Sequence, residues 1–347
     1  MIDSSGSIYI GGETFSSSFP TTAGVYDTDH GGWEAFVSKL SSDLSSLEAS
    51  TFAGGFSSDE VTGLALNSDE SSIYAVIKSN SDYLFPLGGT GYSQSDYGSQ
   101  DAVVVKLSSD LQTIEAGTFF GTNGTDTVED IVVDASDNVF ITGEAPSGLP
   151  VTTGAYDETF NGVTDTYVAK FSSDLGTLVS ATYIGGDNSD EGLALELDAD
   201  QNVIVAGYSE TPTSVNYPTT AGVFKTSPNG TDGVVSRFSN DLSTLMASTY
   251  LGGSSGVDSV VVRDVELASD GSIWTTGTNL SDSFPVSDDA YQTTFANNSS
   301  FATQLSSDLT EIVRSSVISG PFNDNGYSIA LDAGENVIVG LLTNSSS

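Results

Sequence analysis

The sequence predicts an all-β fold, a β-propeller of four-stranded blades, on three observations. One tetrapeptide recurs with a period of about 66 residues, the kind of spacing that marks a repeat architecture. Each period carries four short runs rich in Val, Ile, Thr and aromatics, bounded by turn residues. No stretch shows helical periodicity of useful length. Blades arranged in a ring bury both faces of each sheet; a parallel β-helix is the alternative, but its coils are shorter and the strands of this unit are dissimilar.

The tetrapeptide is Ser-Ser-Asp-Leu, at Ser41–Leu44, Ser108–Leu111, Ser172–Leu175 and Ser306–Leu309, with Ser239-Asn240-Asp241-Leu242 as a fifth copy. Its aspartates stand at 43, 110, 174, 241 and 308, spaced by 67, 64, 67 and 67. A glycine turn keeps the same register at Gly54-Gly55, Gly121, Gly185-Gly186, Gly252-Gly253 and Gly320. So do hairpins such as Asp134–Gly143, Asp198–Gly207 and Asp332–Gly340, and a Pro step at Pro20, Pro86, Pro150, Pro218 and Pro285. In the fourth period the strands read Leu245–Leu251, Val262–Ala268, Ser272–Gly277 and Phe301–Leu305.

Residues 1–347 are thus one propeller repeat domain of five units, with both ends inside a blade. Either a five-bladed ring closes, or the chain is an excerpt of a larger propeller. The larger ring is favoured, because Ile8–Ile10 and Val337–Val339 compete for one slot and leave an unpaired edge.

Composition excludes whole classes. Lys and Arg number 8 against 47 Asp and Glu, a net charge of −39 that repels nucleic acid. There is no cysteine and one histidine, so no disulfide framework, thiol nucleophile or multi-His metal site is expected. No apolar run is long enough for membrane insertion as a helix. Charged residues are only 16%, and Ser, Thr, Gly and Asn dominate the rest of the polar surface. This suits a secreted or cell-surface protein with flanking domains. No basic and apolar leader follows Met1, so an excerpt or a processed chain is expected.

The strings Ser248-Thr249-Tyr250-Leu251-Gly252-Gly253, Phe19–Tyr26, Ala35–Leu40 and the Asp134–Gly143 hairpin resemble the SBBP-type bacterial β-propeller repeat. The resemblance covers nearly the whole chain, although the unit is somewhat longer. It implies a propeller in a large secreted or surface protein, and it transfers no catalytic residue.

Consecutive antiparallel strands put the glycine turn and the long Pro-containing loop on one face. The hairpins and the tetrapeptide turns share the other. The long loops vary most between copies, and variable loops on a rigid scaffold are where binding resides. They supply the candidate ligand-binding aromatics Trp33, Tyr83, Tyr92, Tyr97, Phe160 and Phe295. The opposite face supplies candidate calcium ligands, best in Asp198, Asp200 and Asn202, then Asp134 and Asp137, because calcium takes oxygens from tight acidic turns. Their recurrence equally suits carboxylates that accept backbone hydrogen bonds in their own turns. Asp59, Asp126, Asp190, Asp258 and Asp324 form another recurring series, after the glycine turn.

Lys39, Lys106, Lys170 and Arg237 occupy one repeat position, with Glu34, Asp101, Asp165 and Asp232 five residues earlier. In the last period both become uncharged, as Gln304 and Ser299, so a structural ion pair is expected, between adjacent blades because side chains five apart on one strand point to opposite faces. Glu144, Glu158, Glu210 and Asp264 break the repeat, but no spacing marks an acid–base pair. The expected function is therefore non-enzymatic: adhesion, or binding of carbohydrate or surface polymer. The alternatives are a structural spacer and a glycoside-cleaving enzyme.

Overall fold

Runs of β-branched and aromatic residues between turn signals give 21 strands and, among the described residues, no helix. The computed structural model describes all residues except 56, 81–86, 88–90, 96–97, 211–213, 255–257, 295–297 and 345–347, and the side chain of Asp258. β1 (Ile8–Thr14), β2 (Glu34–Leu40) and β3 (Leu47–Phe52) form a three-stranded sheet. β4 (Asp59–Leu66), β5 (Ser72–Ser79), β6 (Asp101–Ser108) and β7 (Ile114–Phe120) form a four-stranded one in chain order. β8 (Asp130–Val133), β9 (Val139–Ala145), β10 (Asp165–Phe171) and β11 (Leu178–Ile184) repeat that order.

Next come β12 (Asp190–Leu197), β13 (Val203–Ser209), β14 (Gly230–Phe238) and β15 (Leu245–Leu251). β16 (Asp258–Leu267), β17 (Ile273–Asn279), β18 (Ser299–Leu305) and β19 (Ile312–Ile318) follow, and β20 (Asp324–Leu331) pairs with β21 (Val337–Thr343). A short parallel pairing of Gly230 and Thr231 with Asp258 and Ser259 links β14 to β16. Each four-stranded sheet begins after the glycine turn, so the first strand of a period as read from sequence closes the preceding sheet.

The chain gathers into two compact units, Met1–Thr152 with Val168–Ala181, and Thr153–Tyr167 with Thr182–Ser347. Middle strands such as β5 and β6 are buried on both faces. One core, in the first unit, is built on Val37, Ile73, Ile77, Val103, Val105 and Phe119. Its counterpart in the second is built on Ile204, Val235, Val262, Phe301 and Val317.

The tetrapeptide turn explains its own leucine. Leu44, Leu111, Leu175, Leu242 and Leu309 all have left-handed backbone, with φ of 56–60°. That conformation costs a branched residue about 1–2 kcal/mol. Burying a leucine returns about 2–3 kcal/mol, and the last four leucines are fully buried. Their carbonyls accept the backbone N–H of Tyr26, Tyr92, Tyr156 and Phe224, which ties each long loop to the tetrapeptide turn of the next sheet. Leu44 is 63% exposed, and only its turn bonds, such as its N–H to Ser41 O at 2.9 Å, hold it.

The ion pairs differ from the sequence expectation. Lys39 pairs with Asp3 at 3.4 Å, Lys170 with Asp134 at 3.1 Å, and Arg237 with Asp198. These partners belong to the hairpin that opens the middle strand, not to the position five residues back on the cation's own strand. The reason is geometric. Register places Lys39 opposite Tyr9 and Lys106 opposite Tyr74, on the strand that the hairpin opens, so the cation meets that hairpin of its own sheet and not an acid of an adjacent blade. The ammonium lies over the ring, 4.9 Å from Tyr9 and 4.7 Å from Phe140 for Lys39 and Lys170, and reaches on to the hairpin. In the second sheet the hairpin residue is Asn67, and Lys106 turns to Glu115 at 3.8 Å and Ser173 O at 3.5 Å. In the fifth the cation becomes Gln304, bonded to Ser272 Oγ at 2.6 Å, and the hairpin aspartate becomes Ala268. Charge is indeed lost on both sides at once, but the acid's position is that of Ala268 and not that of Ser299.

A double-mutant cycle separates the two pairings. Lys170→Met with Asp134→Ala should show a coupling of about 2 kcal/mol or more in urea unfolding, since the pair is buried. Lys106→Met with Asp101→Ala should be additive to within about 0.5 kcal/mol. The reverse pattern would restore the sequence expectation.

Candidate functional site

The first sheet assembles an exposed aromatic pair. β1 and β2 pair antiparallel with Thr14 opposite Glu34, so the residues just outside that rung, Phe15 and Trp33, are brought together across the mouth of the long loop. Their ring centroids are 5.3 Å apart at 35°. Phe15 is 66% and Trp33 48% exposed, an unusual amount of aromatic surface to leave in water. The Trp33 carbonyl accepts the Asp59 N–H at 3.2 Å, which fixes the backbone under the indole. Exposed Glu13, Ser16 and Asp29 bring polar groups from the same strand end and loop. Sequence reading found Trp33 and missed Phe15, because no motif marks it and only the register brings it into place.

The other aromatic candidates sit differently. Tyr92 is 40% exposed, but its ring meets Phe171 edge-on at 6.2 Å and its N–H bonds Leu175 O at 2.7 Å. Phe160 is half-buried against Tyr183, with centroids 5.8 Å apart. Both hold loops onto sheets. Tyr83, Tyr97 and Phe295 lie outside the described residues. His30 packs edge-on against Phe52.

The candidate calcium ligands have other partners. Asp134 Oδ1 accepts the N–H groups of Ser136 and Asn138, both at 2.9 Å, and Oδ2 faces Lys170. Asp198 likewise accepts Asp200 N–H and Asn202 N–H and pairs with Arg237. Asn202 points its amide at Asp198, and Asp200 is exposed. Asp137 reaches to the preceding sheet and accepts Ser68 N–H at 2.7 Å. Hydrogen bonds from these turns hold Asp134 and Asp198 below the ordinary carboxylate range, against the opposing effect of burial. Among the described residues, no group of three or more His, Asp or Glu is placed to hold a metal ion. Two carboxylates that break the repeat also bind backbone: Glu158 takes Gly154 N–H, and Asp264 takes Val265 and Ile329 N–H.

The glycine turn carries a more unusual arrangement. Asp59, Asp126, Asp190 and Asp324 each accept the N–H of the residue four positions before, at Gly55, Thr122, Gly186 and Gly320. This caps the turn between the last strand of one sheet and the first of the next. A second carboxylate stands beside each of the first three: Glu34, Asp101 and Asp165, all buried. Burial, reinforced by the neighbouring acids, pushes Glu34 and Asp190 up to about 7, and Asp126 and Asp165 up to about 6.

No family model matches the chain, and no curated protein matches it. It is similar to solved structures at low identity. Hydrazine synthase of Kuenenia stuttgartiensis is 12% identical over 89% of this chain and 71% of that one, with a TM-score of 0.47. A protein of unknown function from Dyadobacter fermentans is 10% identical over 92% and 81%, with a TM-score of 0.47. The Dos1 propeller is 10% identical over 90% and 73%, with a TM-score of 0.42.

The raised carboxylates set a pH dependence. A group near 6 in the fold and near about 4 unfolded binds more protons when folded across that window. Its contribution is full below about pH 4 and is lost as pH rises through 6. The urea midpoint should therefore fall between pH 4.5 and pH 8, and Asp126→Asn should flatten the fall; an unchanged slope in Asp126→Asn would contradict this.

Proposed function

We propose that the sheets are blades of a β-propeller of the SBBP repeat type, and that the chain is a non-enzymatic binding module of a secreted or surface protein. Its ligand is an uncharged carbohydrate or surface polymer, taken by Phe15 and Trp33 on the long-loop side of the first sheet. The exposed aromatic pair carries this reading. A sugar ring offers an apolar C–H face and a rim of hydroxyls. Paired aromatic faces cover the first, and Glu13, Ser16 and Asp29 bond the second. The net charge of −39 works against polyanionic ligands at long range. The reading holds for a five-bladed ring and for part of a larger one.

A glycan array on the purified chain tests it. Selective binding should appear and should fall about tenfold or more in Phe15→Ala/Trp33→Ala, the equivalent of about 1.4 kcal/mol. The melting temperature should barely move, because exposed substitutions cost little. No glycan bound, or equal binding by the double variant, would remove this reading and leave the spacer role.

A further inference from the structure

The third and fourth sheets place the same backbone around opposite charges. Lys225 N–H donates to Thr249 Oγ1 at 2.9 Å, and Lys225 O accepts Tyr250 N–H at 3.0 Å. One period earlier, Asp157 N–H donates to Thr182 Oγ1 at 2.9 Å, and Asp157 O accepts Tyr183 N–H at 3.0 Å. Asp232 Oδ2 accepts Asn229 N–H at 2.7 Å, as Asp165 Oδ2 accepts Asn161 N–H at 2.8 Å. Lys225 and Asp157 are therefore structural equivalents, and so are Asp232 and Asp165.

In the fourth sheet a cation fills the space. The Lys225 ammonium lies 2.9 and 3.0 Å from the two Asp232 oxygens and 2.7 Å from Gly253 O. In the third sheet the ammonium is gone, and its backbone position carries Asp157, whose carboxylate accepts Thr159 N–H at 2.8 Å and Thr159 Oγ1 at 2.5 Å. Asp165 is wholly buried, and its Oδ1 has no hydrogen-bond partner. That oxygen lies against Gly185, where a Cβ would collide with it, as one on Gly252 would collide with Asp232. Asp190 brings a further buried carboxylate, whose Oδ2 caps Gly186 N–H. An oxygen-lined position that holds +1 in one sheet thus holds only negative charge in the next. Burying an uncompensated carboxylate is costly, so a counter-ion is called for.

We propose that this position binds a hard divalent cation, calcium, through Asp165 and the Gly186 carbonyl, the counterparts of the oxygens that meet Lys225. Asp157 at the half-buried rim and Asp190 beneath supply compensating charge. Carbonyls and water complete the six to eight oxygens that calcium takes. The first sheet repeats the placement of the three acids, with Asp27 at the lysine position, since Asp27 N–H donates to Thr51 Oγ1 at 2.9 Å, and with buried Glu34 and Asp59 accepting Gly31 N–H and Gly55 N–H. In the second sheet the lysine position is the uncharged Ser93, whose N–H donates to Thr118 Oγ1 at 2.9 Å, so no third acid joins Asp101 and Asp126; in the fifth the lysine and Asp232 positions are the uncharged Gln292 and Ser299, and no cation is needed. The site is separate from the hairpin aspartates and from the aromatic pair.

Calorimetric titration of calcium chloride into the EDTA-treated full chain, in excess sodium chloride to suppress diffuse binding, tests this. The wild type should show two saturable sites. Asp157→Lys, which copies Lys225, should bind at one and melt without calcium at least as high as the wild type. Asp27→Lys/Asp157→Lys should bind at none. If Asp157→Lys does not fold, Asp165→Asn should likewise lose one of the two sites. No saturable binding by the wild type, or two sites retained in these variants, would overturn the proposal.

Discussion

A carboxylate that accepts backbone N–H groups is the interaction on which this architecture rests. Four aspartates cap the glycine turns that lead from one sheet to the next. On the opposite side Glu70, Asp137 and Glu335 accept the N–H of Ser4, Ser68 and Ser269 in the preceding hairpin. Within the tetrapeptide turns, Asp43, Asp174 and Asp241 bond the N–H two residues on. A carboxylate accepts such bonds more strongly than a neutral oxygen does. This accounts for a composition with 47 acids and 8 Lys and Arg. Most acids have no need of a cation, because amides and hydroxyls satisfy them.

That economy also explains where the cations sit. Four of the eight lie at one repeat position, and two of these, Lys39 and Lys170, lie over rings and reach hairpin carboxylates that are already bonded to their own turns. Lys225 lies outside that position and neutralises a buried carboxylate at the glycine turn. The long-loop side thus combines an aromatic pair in water with buried acids of raised proton affinity.

Much of the fold was legible because the repeat compares the chain with itself. The strand read as Leu245–Leu251 has those bounds in the structure. The strand read from Val262 starts at Asp258, because its edge pairs with β14, a partner that no local pattern reveals. The recurring cation was correctly read as structural, yet its partner was misplaced. Recurrence suggested the position of Asp101 and Asp165, reached from an adjacent blade, whereas opposition across strands of one sheet selects Asp3, Asp134 and Asp198. Phe15 was invisible for the same reason, since it matters only through the rung that sets Thr14 opposite Glu34. The hairpin acids were legible as turn formers, but Asp137 bonds a residue 69 positions away, which sequence alone does not show.

Native-state hydrogen exchange at the Gly55, Thr122, Gly186 and Gly320 amides tests the central claim most directly. If carboxylate caps join the sheets, these turn amides should exchange as slowly as the neighbouring strand amides, opening only with global unfolding. Exchange at the rate of exposed loops, with the strands still protected, would show that the caps do not carry the connection and that packing alone does.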